Sequence, residues 1–310
     1  MISNDAVSPN ADERISKANF NMYNKEGELI ASFPHNKILS ASLVQECYTN
    51  QSGIPQSEFT VVIDNSDMFF DVTDKNNVCY SLDEFCPMEL FFSSTAYGGA
   101  DVFMKKARMF FADFGNDRNE FSIKATDVLS KGNFSNVSRT MANLYKDYPI
   151  GDGVKPRTLL EDGMDLSKYK EPVHVPDDIN NIRTFKESAF VNGENEKMLK
   201  EGFYIIAAAL KTQDGSPVRL LITEDGTLTL KARSTDPCDI IPRGNYIDYE
   251  IITNNGALAI KVRDRGNILR QLGDVVVIQD YSRFYKAEIY KQTYTYQSGI
   301  LSAEWEALLL

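Results

Sequence analysis

The chain has 310 residues, of which 43% are apolar, 25% are charged and 11% are aromatic. This composition is that of a folded globular protein, and the length predicts two or more subdomains. The formal net charge of −11 excludes a general nucleic-acid binder, because such a protein needs an excess of basic residues to displace counterions from phosphates.

No part of the sequence is predicted to enter a membrane. The longest apolar stretch, 203–210, covers eight residues, far fewer than the ~20 that a bilayer requires. The N-terminus has neither the basic start nor the apolar segment of a secretory signal, so we expect the protein to be made and folded inside a cell. The cysteines show no CxxC spacing and are expected to be reduced, with a bond between Cys79 and Cys86 as the alternative.

The residues up to about 135 alternate between apolar and polar side chains with a period of two. In 58–64, for example, Phe59, Val61 and Ile63 share one face, which is typical of a strand with one buried face. Further strands are predicted at 28–33, 38–46, 88–93, 102–114 and 120–126. Five or six antiparallel strands in this length indicate a barrel or sandwich.

The middle of the chain has a different pattern. Four prolines, at 149, 156, 172 and 176, predict that 145–192 is an extended connection without sustained helix or sheet. Ser138 is predicted to cap a short helix through Lys146. The clearest helix is predicted over 194–211, where apolar residues recur at helical spacing after a charged start.

A second series of strands follows this helix. Strands at 218–223 and 227–232 flank a turn that contains Gly226, those at 249–253 and 257–262 flank another polar turn, and Gly273 and Asp274 open a strand at 275–279. Two long strands, 285–296 and 300–308, end the sequence. The predicted domains are an N-terminal arm (1–20), a first β-barrel domain (21–135), an extended connection (136–192), and a helix with a second β domain (193–310).

The sequence offers little material for catalysis. His35 and His174 are the only histidines, and neither lies in a metal-binding or nucleophile motif. We therefore predict no catalytic residue, no cofactor and no metal site. One alternative stays open, because the carboxylates of Asp64, Asp67, Asp71 and Asp74 are spaced closely enough to hold a cation. The favoured interpretation is a turn, in which Asp64, Asn65, Ser66 and Asp67 bond local backbone amides.

Aromatic residues are concentrated near the end of the chain. Tyr290, Tyr294 and Tyr296 are predicted to share one strand face, and Trp305 lies on the next strand. Such a face usually packs against a neighbouring sheet or subunit. A stacking platform for sugars or bases is the alternative.

The order of these features resembles the tail-hub proteins of tailed phages, in particular the N-terminal hub module of the tail-associated proteins of Gram-positive phages. The resemblance runs from about residue 36 to 307, and Asp127, Gly226, Gly273 and Asp274 occupy its motif positions. It rests on these segments, in chain order: ILSASLVQEC, IPQSEFTVVIDNSDMFFDV, MELFFSST, KKARMFFADFGNDRNEFSIKATDVLS, MLKEGFYIIAAAL, LLITEDGTLTLKA, LGDVVVIQD and IYKQTYTYQSGILSAEWEA.

The resemblance implies a mainly β fold with minor α, in which two tail-tube-like β-barrel or sandwich domains are joined by an extended connection and one helix. It also implies a structural virion protein, assembled in the host cytoplasm, that forms a homotrimeric ring at the distal end of the tail tube. Such a ring would contact tube, tape measure and tip or fibre proteins and conduct DNA during ejection without binding it specifically. Because the sequence stops at Leu310, we expect any lytic activity to reside in another polypeptide.

Two hypotheses from other classes are a cell-wall hydrolase and a carbohydrate-binding adhesion module with β domains. For the ring itself, the acidic charge suggests that carboxylates face the channel and repel DNA phosphates. The alternative is that the excess acid is spread over the exterior and favours solubility.

Overall fold

The computed structural model describes residues 14–47, 57–96, 103–117, 119–134, 139–192, 195–234, 236–264 and 268–310. Within these residues the chain is mainly β with a minor helical part, which confirms the predicted fold class. Most strands belong to one sheet of thirteen strands, and smaller sheets of two and three strands lie beside it. The described residues bury three apolar clusters, one in each β unit and one in the helical middle.

The first β unit consists of seven antiparallel strands around one core. They are β1 (Arg14–Tyr23), β2 (Leu29–Phe33), β3 (Ile38–Glu46), β4 (Glu58–Asp64), β5 (Pro87–Ala96), β6 (Phe103–Asp117) and β7 (Glu120–Thr126). Their order across the sheet is β3-β4-β7-β6-β5-β1-β2. Every second side chain of β4 and β7 is buried, as the period-two alternation predicted.

The prediction of an N-terminal arm over 1–20 is wrong for residues 14–20, which belong to a strand. Residues 1–13 lie outside the described residues, but β1 pairs with β5 on one side and with β2 on the other. Ala18, Phe20 and Met22 alternate along it and are fully buried. The segment is a strand because this alternation gives it one apolar face.

The middle of the chain is folded around its own core and is not an extended connection. Its elements are α1 (Met141–Tyr145), α2 (Pro156–Ser167), β8 (Val173–His174), α3 (Asp177–Asn180), β9 (Val191–Asn192), β10 (Asn195–Glu196), α4 (Leu199–Ala209), β11 (Val218–Ile222) and β12 (Leu228–Ala232). The parallel pairing of β8 with β12 ties this segment to the hairpin that follows α4.

Helix α2 shows why the proline argument failed. Pro156 begins the helix, at the first position, where the missing N–H has no partner to lose. Leu159, Leu160 and Met164 then bury one face of the helix. The short predicted helix corresponds to α1, which begins after Thr140, whereas Ser138 lies outside the described residues. Helix α4 begins at Leu199, later than predicted.

The second β unit closes the chain. Its strands are β13 (Asp239–Ile241), β14 (Asp248–Asn254), β15 (Ala257–Asp264), β16 (Val275–Asp280), β17 (Arg283–Gln297) and β18 (Ile300–Leu309). Across the sheet they run β14-β15-β18-β17-β16-β13, and only β13 and β16 are parallel.

The long hairpin of β17 and β18 is shared by both β units. Residues 283–288 of β17 pair with β16, and residues 291–297 pair with β3 of the first unit. Tyr294 and Leu301 accordingly lie in the core of the first unit, whereas Ile289 and Trp305 lie in the core of the second. The two units are thus joined by a continuous sheet as well as by the helical middle, and the limits of the two predicted β domains, 21–135 and 193–310, stay a prediction.

A buried ion pair fixes the β11–β12 hairpin against β17. The Arg219 guanidinium donates two hydrogen bonds of 2.9 Å to the Glu288 carboxylate, and the Glu288 side chain is fully buried. Arg233 lies 4.0 Å from the same carboxylate. A bidentate pair of this kind fixes geometry, and removing one partner leaves the other charge buried without compensation.

We predict that Glu288→Ala lowers the free energy of unfolding by about 3–5 kcal/mol, because the Arg219 charge loses its partner. Urea denaturation measures this loss. Glu26→Ala is the control, since Glu26 forms an exposed pair with Lys25 at 4.0 Å, and it should change stability by less than about 0.5 kcal/mol. A loss below about 1 kcal/mol for Glu288→Ala would contradict the assignment.

Candidate functional surface

The predicted Asp64–Asp67 motif forms the start of a loop held by its own side chains. Carboxylate oxygens of Asp64, Asp67, Asp71 and Asp74 accept hydrogen bonds from backbone N–H groups two residues further on, at 2.8–3.4 Å. The Ser66 N–H and hydroxyl lower the pKa of Asp64, and the Thr73 hydroxyl, followed by the Thr73 N–H, lowers the pKa of Asp71. This is the arrangement that the turn interpretation predicted.

Asn65 is the buried centre of this loop. Its amide oxygen accepts from Phe70 N–H, and its amide nitrogen donates to the Phe70 carbonyl, both at 2.9 Å. Phe70 then stacks on Phe121 of β7 with ring centroids 3.9 Å apart. Asn65 therefore connects the loop to the core of the first β unit. Across the described ranges, no group of three or more His, Cys, Asp or Glu residues is arranged to hold a metal ion.

Asp127 lies at the end of β7, on a different side of the unit from Asn65. Its carboxylate accepts from Ser57 N–H and Ser130 N–H, each at 2.7 Å. Burial raises the pKa of Asp127, and these hydrogen bonds and the charge of Lys200 oppose that rise. The side chain thereby ties the start of β4 to the chain that leaves β7.

The turns at Gly226 and Gly273 border one cavity of about 740 Å³ between the β11–β12 hairpin and the main sheet. Gly226 has φ +90°, a backbone conformation that favours glycine because other residues adopt it only with strain. The carboxylate of Asp274 accepts from Gln271 N–H at 2.8 Å.

A polar junction that sequence analysis missed lies beside this cavity. Lys105 of β6 is buried and donates to Glu224, to Gln292 and to the backbone carbonyl of Arg270, at 3.1–3.3 Å. The Arg270 guanidinium in turn contacts the Asp264 carboxylate. Burial lowers the pKa of Lys105, and the charge of Glu224 opposes this change. No sequence motif marks these residues, because they meet only when the two β units join.

The predicted aromatic face is not a surface. Tyr290, Tyr294, Tyr296 and Trp305 are each at most 3% exposed and lie in the cores of the two β units. Packing within the chain is one of the two outcomes of the favoured prediction, a neighbouring sheet or subunit, whereas the burial corrects the alternatives of a subunit interface and a stacking platform. Tyr290 is the extra residue of a bulge, and its hydroxyl donates to Glu306. It therefore does not share a face with Tyr294, which pairs with Ala303 and packs inside the first unit.

The opposite face of the same strands is a broad polar surface, which we call the polar face. It contains the alternate residues of β3, β4 and β7 with residues 291–297 of β17 and 300–306 of β18. Consecutive register partners Ser302, Thr295, Ser42, Thr60 and Lys124 cross all five strands. These side chains are half-buried or exposed, as expected for an antiparallel sheet with one solvated face.

The polar face carries more acid than base. Within these strands, all of them described, its charged members are Glu46, Glu58, Asp64, Glu120, Glu304 and Glu306 against Lys124 and Lys291. Both lysines are paired with carboxylates, Lys124 with Glu58 at 2.7 Å and Lys291 with Glu46 at 2.9 Å.

A ladder of alternating charge extends the polar face to the edge of the second unit. Glu250, Lys261, Glu306, Lys291 and Glu46 are neighbours in register across β14, β15, β18, β17 and β3. Opposite charges on neighbouring strands each stabilise a sheet by about 0.2–1 kcal/mol. The surface is thus continuous over both β units.

The fold of the whole chain is that of bacteriophage tail proteins, which confirms the predicted resemblance at the level of the fold. The tail protein of Neisseria meningitidis MC58 matches 94% of this chain over 96% of its own, with a TM-score of 0.58 and 12% identity. The 43 kDa tail protein of prophage MuSo2 from Shewanella oneidensis matches 94% over 96%, with a TM-score of 0.57 and 9% identity.

A third similar structure is an E. coli component of the type VI secretion system, described as structurally similar to tail proteins of bacteriophage T4. It matches 88% of this chain over 74% of its own, with a TM-score of 0.50 and 8% identity. No family model and no curated protein matches the sequence. At such identities fold is shared but surface chemistry is not transferred, so function is argued from this chain's own residues. None of the described helices is long and apolar enough to span a membrane.

We predict that Asn65→Ala lowers the free energy of unfolding by about 1–3 kcal/mol, because the Phe70 amide and carbonyl lose their partners in a buried loop. Urea denaturation of the whole chain measures the effect. Asn76→Ala, at an exposed position of the same loop, is the matched control and should stay within about 0.5 kcal/mol. Equal stability of the two variants would show that Asn65 does not hold the loop.

Proposed function

We propose that this chain is a structural phage-tail protein that forms a ring-shaped hub at the distal end of the tail tube, with the polar face lining the channel. The observation that carries this proposal is the polar face itself. On β3, β4, β7, β17 and β18 it is rich in serine and threonine and has six carboxylates against two lysines, both of them paired. It continues onto β14 and β15 with Asp248 and Glu250 against Lys261 and Arg263, which also lie beside carboxylates. The tail-protein fold supports the same proposal.

The chemistry of this face suits a surface past which DNA must slide. Tight binding to a phosphate backbone comes mainly from cationic side chains that release counterions. The two lysines of the face are engaged by carboxylates, and the remaining carboxylates repel phosphates. Hydroxyl groups between them keep the surface hydrated without adding positive charge. We therefore propose that the carboxylates of the polar face line the channel wall. The proposal depends on these carboxylates and not on the net charge of the whole exterior.

The proposed assembly is a homotrimer that joins the tail tube to tip or fibre proteins, with the tape measure protein passing through it. In this role the chain is non-enzymatic, resides in the virion and is assembled in the host cytoplasm. Multi-angle light scattering of the chain alone should give three times the chain mass of 34.9 kDa. If the chain assembles only with its tail partners, the mass of the complex should correspond to three copies of the chain plus the partners. Turnover of purified cell walls by the chain alone would instead favour the hydrolase hypothesis.

We predict that Ser42→Lys combined with Thr295→Lys converts the channel wall into a surface that retains DNA. The two residues are register partners on neighbouring strands, so the variant places two unpaired cations side by side. Gel-shift titration of the assembled protein should show duplex DNA binding that weakens steeply as salt rises. Phage particles that carry the variant should assemble normally and release DNA more slowly.

The matched control is Thr184→Lys combined with Ser188→Lys, which adds the same charges at exposed positions of the helical middle. This control should release DNA at the wild-type rate. Equal behaviour of the two double variants in both assays would contradict the assignment of the polar face to the channel.

A further inference from the structure

The second β unit carries an exposed apolar patch on the outer side of the β16–β17 hairpin. Ile240, Val277 and Lys286 are consecutive register partners across β13, β16 and β17, and Phe284 lies two residues from Lys286 on the same face. Ile240 is 58% exposed and Phe284 is 63% exposed. We call these four residues the hairpin patch. Lys286 gives it a positive charge.

A different exposed apolar patch lies on the loop that follows β4 in the first β unit. It consists of Met68, Phe69 and Tyr80, which are 42–57% exposed, and we call it the loop patch. Asp71, Asp74 and Lys75 lie between these residues in the chain, so the patch has a net charge of −1.

The loop patch is held rigidly in its outward position. Met68 has φ 58°, which a non-glycine residue adopts only when its surroundings impose it. The Asn77 side chain donates to the Phe69 carbonyl at 3.0 Å, and the Tyr80 hydroxyl donates to the Val72 carbonyl at 2.6 Å. These bonds fix the backbone of the loop, and exposed apolar patches on a folded protein often mark contact sites.

We propose that the hairpin patch of one copy docks on the loop patch of the next copy and that this contact closes the ring. This inference rests on the proposed ring function and names the surfaces that form it. A ring of identical chains needs two different, complementary patches on each chain. Here the patches lie on different β units and have opposite charge. Pairing of the hairpin patch with itself would bring Lys286 near its own copy, which like-charge repulsion disfavours.

The test uses Phe284→Glu and Met68→Glu, each of which puts a carboxylate into one patch. Sedimentation velocity, at concentrations where the wild type forms rings, should show self-association at least about tenfold weaker for each variant. Met104→Glu is the matched control, because Met104 is equally exposed at 63% but lies on β6, outside both patches. It should assemble as the wild type does.

Mixing the two variants makes the test specific for head-to-tail contact. The intact loop patch of the Phe284→Glu chain can still receive the intact hairpin patch of the Met68→Glu chain, so the mixture should form 1:1 dimers and no rings. Circular dichroism checks that each variant is folded, and Phe284→Ser or Met68→Ser replaces a variant that is not.

Three results would overturn the inference: rings from either single variant, no dimers in the mixture, or equal loss in the Met104→Glu control. None of these three results contradicts the proposed ring function, provided that the wild-type chain assembles. A wild-type chain that stays monomeric with and without its tail partners would overturn the proposed ring function as well. The two failures are therefore distinguishable in the same experiment.

Discussion

The pairing of β17 with β3 is the constraint on which the rest of the structure depends. Seven register partners, from Lys291 opposite Glu46 to Gln297 opposite Ser40, join strands that lie far apart in the chain. Closing such a long loop costs conformational entropy, so the contacts it brings together must offset that cost. The pairing extends the core of the first unit with Tyr294 and Leu301. It also makes the polar face continuous, since without it two separate sheets would each present a short polar strip.

The polar junction around Lys105 and Arg270 fixes how the two β units meet. Besides its hydrogen bonds, Lys105 lies 5.2 Å from the ring centroid of Tyr294, and Arg270 lies 5.3 Å from that of Trp305. The indole N–H of Trp305 donates to Asp264 at 3.1 Å. Buried charges of this kind add little net stability compared with apolar packing. They do require partners in defined places, so we expect the junction to select one arrangement of the units over others.

Sequence analysis succeeded where structure is local and failed where it depends on distant partners. The strands with period-two alternation, such as β4 and β7, were predicted because a strand repeats every two residues whatever it pairs with. The burial of Tyr294 could not be predicted, because the sequence of β17 does not indicate which face of the strand packs against the first unit. The bulge at Tyr290 shifts the alternation by one residue, and no turn residue marks it. Helix α2 was missed because Pro156 was interpreted as a helix breaker and not as a first residue.

The ion pairs of the polar face add little to the stability of the fold. They are better explained by their effect on the lysines, which they keep from binding phosphates. Exposed pairs such as Lys124 with Glu58 contribute at most about 1 kcal/mol each to stability. In each pair a carboxylate on the neighbouring strand holds the lysine. A phosphate that binds the lysine must therefore compete with this carboxylate. Because neighbours across a sheet are set by register, this pairing persists only while β3, β4, β7 and β17 keep their alignment. The fold that joins the two units therefore also keeps the lysines of β7 and β17 on this face beside carboxylates.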